Sequence, residues 1–107
     1  MSKDDVLVVL CNCPDHATAR RLAASAVEQR LAACINIIPG VESVYRWQGK
    51  VEHETEATLL IKTTDSAFAP LRDHLRELHP DELPEIIAVP VIRGLPGYLD
   101  WVRESTS

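Results

Sequence analysis

Leu78-His79-Pro80-Asp81-Glu82-Leu83-Pro84-Glu85-Ile86-Ile87 stops a helix on a histidine, turns through two prolines and launches a β-branched strand. Proline fixes φ, lacks an N–H and bars the residue before it from helical geometry, so the helix ends before Pro80 and the turn is stiff. Upstream, Phe68, Leu71, Leu75 and Leu78 recur at helical spacing. Thr64, Asp65 or Ser66 can cap that helix, and Pro70 lies near enough to its start to be tolerated. Downstream, Glu85 to Ile92 reads as a strand in which Pro90 cannot donate to a ladder, which sends it to a sheet edge or a bulge. After Gly94, Pro96 and Gly97, a short helix around Tyr98, Leu99, Trp101 and Val102 closes the chain.

The first half has the same grammar. Residues 5 to 12 carry the run Val6-Leu7-Val8-Val9-Leu10, which alternates too little for a half-exposed strand and predicts a central strand buried on both faces, with Cys11 where the element ends. Pro14-Asp15 starts a helix whose apolar positions Ala19, Leu22, Ala23, Ala26, Val27 and Leu31 follow steps of three and four. Cys34 to Ile38 is strand-like, Pro39-Gly40 interrupts it and Val44 to Trp47 resumes it, a pattern that predicts a bulge or bend. Gln48-Gly49 marks a hairpin tip. The return strand, Val51 to Lys62, alternates cleanly: Val51, His53, Thr55, Ala57, Leu59 and Ile61 share one face, and the even-numbered residues the other.

Strand, helix, strand, strand, helix, strand and a final helix is the order of an α+β ferredoxin-like βαββαβ sandwich with an extra C-terminal helix. It has one antiparallel sheet, both main helices on one face and the first strand central. Residues 1–107 are expected to form a single domain of this kind. The hairpin between the second and third strands is long for so small a domain. An extension bearing Tyr45 and Trp47 is poorly stable alone in water, which points to packing against another copy of the chain.

Composition narrows the function. With 46 % hydrophobic and 25 % charged residues, the chain reads as a globular protein. The net charge of −5 argues against a nucleic-acid partner. No apolar run reaches the roughly 18 residues of a membrane span, and Met1-Ser2-Lys3-Asp4-Asp5 lacks the shape of a secretion signal, so a cytoplasmic address is expected. Three cysteines frame no disulfide scaffold and fit reduced thiols. Cys34, among small and apolar neighbours, reads as a buried small hydrophobe.

Several residues carry candidate chemistry. Cys11 and Cys13, two apart on a strand, point to one face, where their sulfurs can reach one soft ion such as Cu(I); the alternative is a pair of merely buried thiols. No Cys-x-x-Cys or His-x-x-x-His pair exists to build a closed zinc site. His79, at the negative end of a helix dipole, reads as a ligand or as a satisfied capping histidine. His16 and His74 read as solvated helix residues. Glu52, Glu54 and Glu56 form a carboxylate stripe, read as a charged strand face that resists aggregation or as one wall of a polar cleft that Glu56 and Lys62 line with the hairpin aromatics. Neither a Gly-x-Ser-x-Gly elbow nor a phosphate-cradling glycine loop occurs, which argues against an enzyme.

Val9-Leu10-Cys11, Leu31-Ala32-Ala33-Cys34-Ile35-Asn36, Tyr45-Arg46-Trp47-Gln48-Gly49-Lys50 and Ile61-Lys62-Thr63-Thr64 stand in this order. They are followed by His79-Pro80, Pro84-Glu85-Ile86-Ile87 and Tyr98-Leu99-Asp100-Trp101. Together they resemble the CutA divalent-cation-tolerance family over nearly the whole chain. The resemblance implies a homotrimer related in architecture to the PII signalling proteins, with hairpins joining subunits. It also implies copper or another divalent cation held by a cysteine after the first strand and two adjacent histidines before the proline turn. Cys11 matches that cysteine and His79 the second histidine; the first falls on Leu78, which cannot ligate, so weaker or less selective binding is expected. Asp81 replaces the aromatic that usually follows His-Pro and offers an oxygen. Tyr45, Trp47, Glu56, Lys62 and Glu85 match family positions expected to line an inter-subunit cleft. The expected function is a non-enzymatic metal-tolerance trimer. The alternatives are a PII-like sensor of a small polar metabolite and a scaffold for an unidentified protein partner.

Overall fold

In a computed structural model covering residues 1–107, the chain runs β1 (Val6–Cys13), α1 (His16–Glu28), β2 (Cys34–Trp47), β3 (Lys50–Thr64), α2 (Asp65–Leu78), β4 (Ile86–Pro90) and α3 (Pro96–Ser105). The four strands form one antiparallel sheet in the order β2-β3-β1-β4, so the apolar β1 is central and Pro90 lies on the edge strand, where its missing N–H costs no ladder bond. This is the ferredoxin-like arrangement that the alternation of elements predicts.

One face of the sheet carries the core. Val9, Cys11 and Cys13 of β1 and Ala57, Leu59 and Ile61 of β3 pack with Ala19, Leu22, Ala23 and Ala26 of α1 and Leu71 and Leu75 of α2. The small residues of α1 let it lie close to the strands, and Asp15 caps it by accepting a 2.7 Å hydrogen bond from the Thr18 N–H. Thr64 occupies the N-cap of α2 but its hydroxyl caps no helix N–H, lying instead 3.3 Å from Ser66 Oγ and from Thr106 Oγ1. His74 is not simply solvated, since Ser25 Oγ and His74 Nε2 share a 2.7 Å hydrogen bond that ties α1 to α2. Val27, expected on the buried stripe, is 40 % exposed, because it lies over the edge strand β2, where it lines an open groove with Ile35 and Ile37.

The opposite face differs from the expectation that β1 is buried on both sides. α3 covers only its lower end, where Val102 packs on Val6 and Ala33. Beyond it, Val8 and Leu10 are half-buried, and Ile38, Ile87 and Val89 of the flanking strands are exposed. Cys34 belongs to this face and is half-buried rather than enclosed.

β2 and β3 continue past the sheet as a two-stranded arm, which gives the molecule its 43 Å long axis. Its register shifts between Ile38 and Val41, and Gly40 there adopts φ +68°, so Pro39-Gly40 makes a bulge rather than a break. At the tip, Gln48 and Gly49 have φ of 50° and 81°, the two positive values of a tight two-residue hairpin turn.

Candidate metal centre

β4 stops pairing at Cys11↔Ile86, leaving the last two residues of β1 without a partner on that side. Into this gap the chain leaving α2 turns its histidine. The His79 N–H still closes the helix on Leu75 O at 2.9 Å, and the extended backbone at His79 (φ −74°, ψ 134°) directs the chain away from the helix axis. The imidazole, with no exposed side-chain surface, bonds Asn12 O through Nε2 at 2.7 Å and accepts the Asp81 N–H on Nδ1 at 3.0 Å. A carbonyl can only accept, so Nε2 carries the proton and Nδ1 is bare. The ring therefore closes the open end of β1 and fixes the proline turn at once.

The same placement brings three metal-ligating side chains together. One donor atom from each of Cys11, Cys13 and His79 lies within 4.8 Å of the other two. Both cysteines are completely buried, and β1 runs on through Cys13, so Cys11 lies inside the strand rather than at its end. Their parity on β1 aims both into the core side of the sheet, where the end of α2 arrives. The hydrogen bond between the two thiols, burial and the neighbouring negative charges of Cys13, Glu85 and Asp81 push Cys11 well up, and the same hydrogen bond lowers Cys13. Leu78, at the position of the missing family histidine, packs against the main core instead.

Outside this cluster lies a cleft of about 890 Å³ between the hairpin arm and the Pro80–Glu85 turn. Tyr45, Trp47, Glu56 and Glu85 all line it, together with Glu52, Glu54, Asp81 and Glu82, so its walls are strongly acidic. Tyr45 Oη donates a 2.5 Å hydrogen bond to Glu54, which pushes the phenol up to about 12. Lys62 stands apart from this cleft: it is further along β3, opposite Cys34, where its ammonium bonds Asn36 Oδ1 and lies 3.7 Å from Cys34 Sγ. Within one chain the cleft thus has carboxylates without the expected cation, because Lys62 lies six positions beyond Glu56 along an extended strand. Asn12 and Asp81 belong to both regions; Asp81 Oδ2 is 3.9 Å from His79 Nδ1, and Asn12 offers its carbonyl inward while facing the cleft. The even spacing of Glu52, Glu54 and Glu56 reveals the acidic wall, but no local signal shows that Asp81 and Glu82 come to face it.

The chain matches the family model described as CutA1 divalent ion tolerance protein over residues 7–105. It is 50 % identical over 99 residues to the divalent-cation tolerance protein CutA of Thermus thermophilus, which spans 92 % of this chain and 96 % of that protein. The solved structure of the Thermus thermophilus protein superposes with a TM-score of 0.93 at 49 % identity, covering 95 % of this chain and 99 % of that one. That of Archaeoglobus fulgidus, described as a periplasmic divalent cation tolerance protein, superposes with a TM-score of 0.92 at 36 % identity, covering 95 % and 99 %. Against plant and mammalian relatives, which it matches at 44 % and 43 % identity, the chain spans 55 % and 57 % of their lengths. Sequence match and fold agree from the first strand to the last helix: the chain belongs to the CutA1 family of divalent ion tolerance proteins.

Proposed function

We propose that the protein is a non-enzymatic, homotrimeric metal-binding protein of the cytoplasm that takes up copper or a related cation through Cys11 and His79 and so contributes to metal tolerance. The observation that carries this reading is the convergence of Cys11 and His79, from two ends of the chain, within 4.8 Å in a buried pocket. Thiol and imidazole suit copper far better than they suit Mg²⁺ or Ca²⁺, which prefer oxygen. The neighbouring acidic cleft supports it as well, since a carboxylate-lined concavity raises the local concentration of cations. His79 uses both ring nitrogens, so uptake requires release of one hydrogen bond. The bond released is the one to Asn12 O if Nε2 takes the ion, or the one from the Asp81 N–H if Nδ1 does.

The trimer is supported by the open face of the sheet. Ile38, Ile87 and Val89 make an apolar patch beside the half-buried Val8 and Leu10, and Val44, Tyr45, Trp47 and Val51 are exposed along the arm. Surface of this kind calls for a partner, and a second copy presents a matching one. No helix is long and apolar enough to cross a membrane. A metabolite sensor that pairs Glu56 with Lys62 finds less support in one chain, where only the carboxylate reaches the cleft. Titration with copper tests the leading reading: affinity falls in Cys11→Ser and His79→Ala while the oligomer survives. Unchanged affinity in both variants rejects it, and a monomeric mass in solution rejects the assembly.

A further inference from the structure

We propose that Cys13 is a third ligand, and that Cys11, Cys13 and His79 together make a two-sulfur, one-nitrogen pocket that selects a soft monovalent ion, Cu(I), over harder divalent ions. This rests on the reading that Cys11 and His79 bind metal, and goes beyond it by naming a ligand and the charge and softness of the cargo.

Spacing is the first argument. Three donors that each stand about 2.3 Å from a shared ion, spread evenly in one plane, lie about 4.0 Å from one another. The three donor atoms here lie within 4.8 Å of each other, so small side-chain adjustments bring them onto a shared ion. Cys13 reaches this position because it follows Cys11 by two residues on one strand, so the same pleat aims both sulfurs at the imidazole.

The second argument is enclosure. Cys11 and Cys13 have no exposed surface, and neither does the His79 side chain. Mg²⁺ and Ca²⁺ take six or more ligands and usually retain water, and Zn²⁺ takes four. A sealed set of three donors offers neither the number nor the water. Soft thiolates select Cu(I) among the ions they can hold, and Cu(I) is content with few donors. The carboxylates that would serve a harder ion line the cleft outside; Asp81, with Oδ2 3.9 Å from His79 Nδ1, stands near enough to complete a fourfold set. Tetrahedral zinc is therefore the competitor that the experiment must separate.

Purified protein is titrated without oxygen with Cu(I) against bicinchoninate, and in parallel with Zn²⁺, using the wild type and the Cys11→Ala, Cys13→Ala and His79→Ala variants. Cys34→Ala serves as the thiol control, being half-buried on the opposite face. One Cu(I) per chain is expected. Cys13→Ala should weaken it by at least about 100-fold, the upper end of what losing a group one shell further out removes, and Cys34→Ala should leave it unchanged. Copper-edge X-ray absorption on the wild type counts the ligands directly and does not depend on any variant folding; it should find two sulfurs and one nitrogen. A single sulfur, or undiminished Cu(I) affinity in folded Cys13→Ala while Cys11→Ala and His79→Ala lose it, overturns the role of Cys13 and leaves the broader function standing. Zn²⁺ bound more tightly than Cu(I) overturns the selectivity. No binding change in any of the three variants overturns both readings.

Discussion

Replacing His79 with alanine separates its structural work from its metal work. Three losses follow from the geometry. The Asn12 carbonyl loses its 2.7 Å imidazole partner at a part-buried position, a loss that costs about 1–3 kcal/mol. The Asp81 N–H loses its 3.0 Å acceptor, but Asp81 is exposed and can turn to water, so this term is about 0.5–1 kcal/mol. The space left by a side chain with no exposed surface adds about 1 kcal/mol more. The expected total is about 2.5–5 kcal/mol in chelator-treated protein, measured by urea unfolding at one protein concentration so that assembly is held constant. Metal then supplies the second reading. At a free-ion concentration about 100-fold above the dissociation constant, binding to the folded state alone stabilises the wild type by about 2.7 kcal/mol, and the variant should gain nothing. A chelated-state difference below about 0.5 kcal/mol refutes the structural role assigned to the ring, and equal metal-induced gains in both proteins refute its role as a ligand.

Three further outcomes follow. Leu22→Ala, at a fully buried position of α1, should cost about 2–5 kcal/mol, whereas Val27→Ala, one turn later and 40 % exposed, should stay within about 0.5 kcal/mol; paired chemical denaturation checks both. Gly49→Ala has open space around its new methyl group but must hold φ at +81°, so it should destabilise the arm by about 1–2 kcal/mol; Gly97→Ala, with equal space in the first turn of α3 and no positive φ, should not destabilise. Tyr45 gives a pH test. Its folded value is raised to about 12 by the hydrogen bond to Glu54, so its contribution to stability is complete below about pH 10, the ordinary tyrosine value, and is lost as pH rises through about 12. Spectrophotometric titration should show one late-ionising phenol in the wild type that ionises earlier in Glu54→Gln; a profile indistinguishable between the two proteins counts against the bond.

What the sequence could decide was whatever acts over a few residues. Proline at positions 80 and 84 restricts φ and removes donors within one turn, the three-and-four spacing of Leu71, Leu75 and Leu78 declares a face, and the alternation from Val51 to Lys62 declares another. Those local rules sufficed for the order of elements and hence for the sheet, because a βαββαβ chain has few ways to bury its apolar faces. They could not say how fully each face is covered, so β1 read as buried on both sides although α3 reaches only one end of the second face. Nor could they divide the polar residues among sites. Glu56 and Lys62 share a strand face by parity, yet strand rise carries them apart, and the turn at Asp81 and Glu82 supplies the cleft's other wall. The pocket itself belongs to tertiary structure, because His79 meets Asn12 across 67 residues of chain only where β4 leaves the end of β1 open. Periodicity is a property of neighbours along the backbone; which side chains converge is settled by strand register and by the direction in which a helix delivers its last residue.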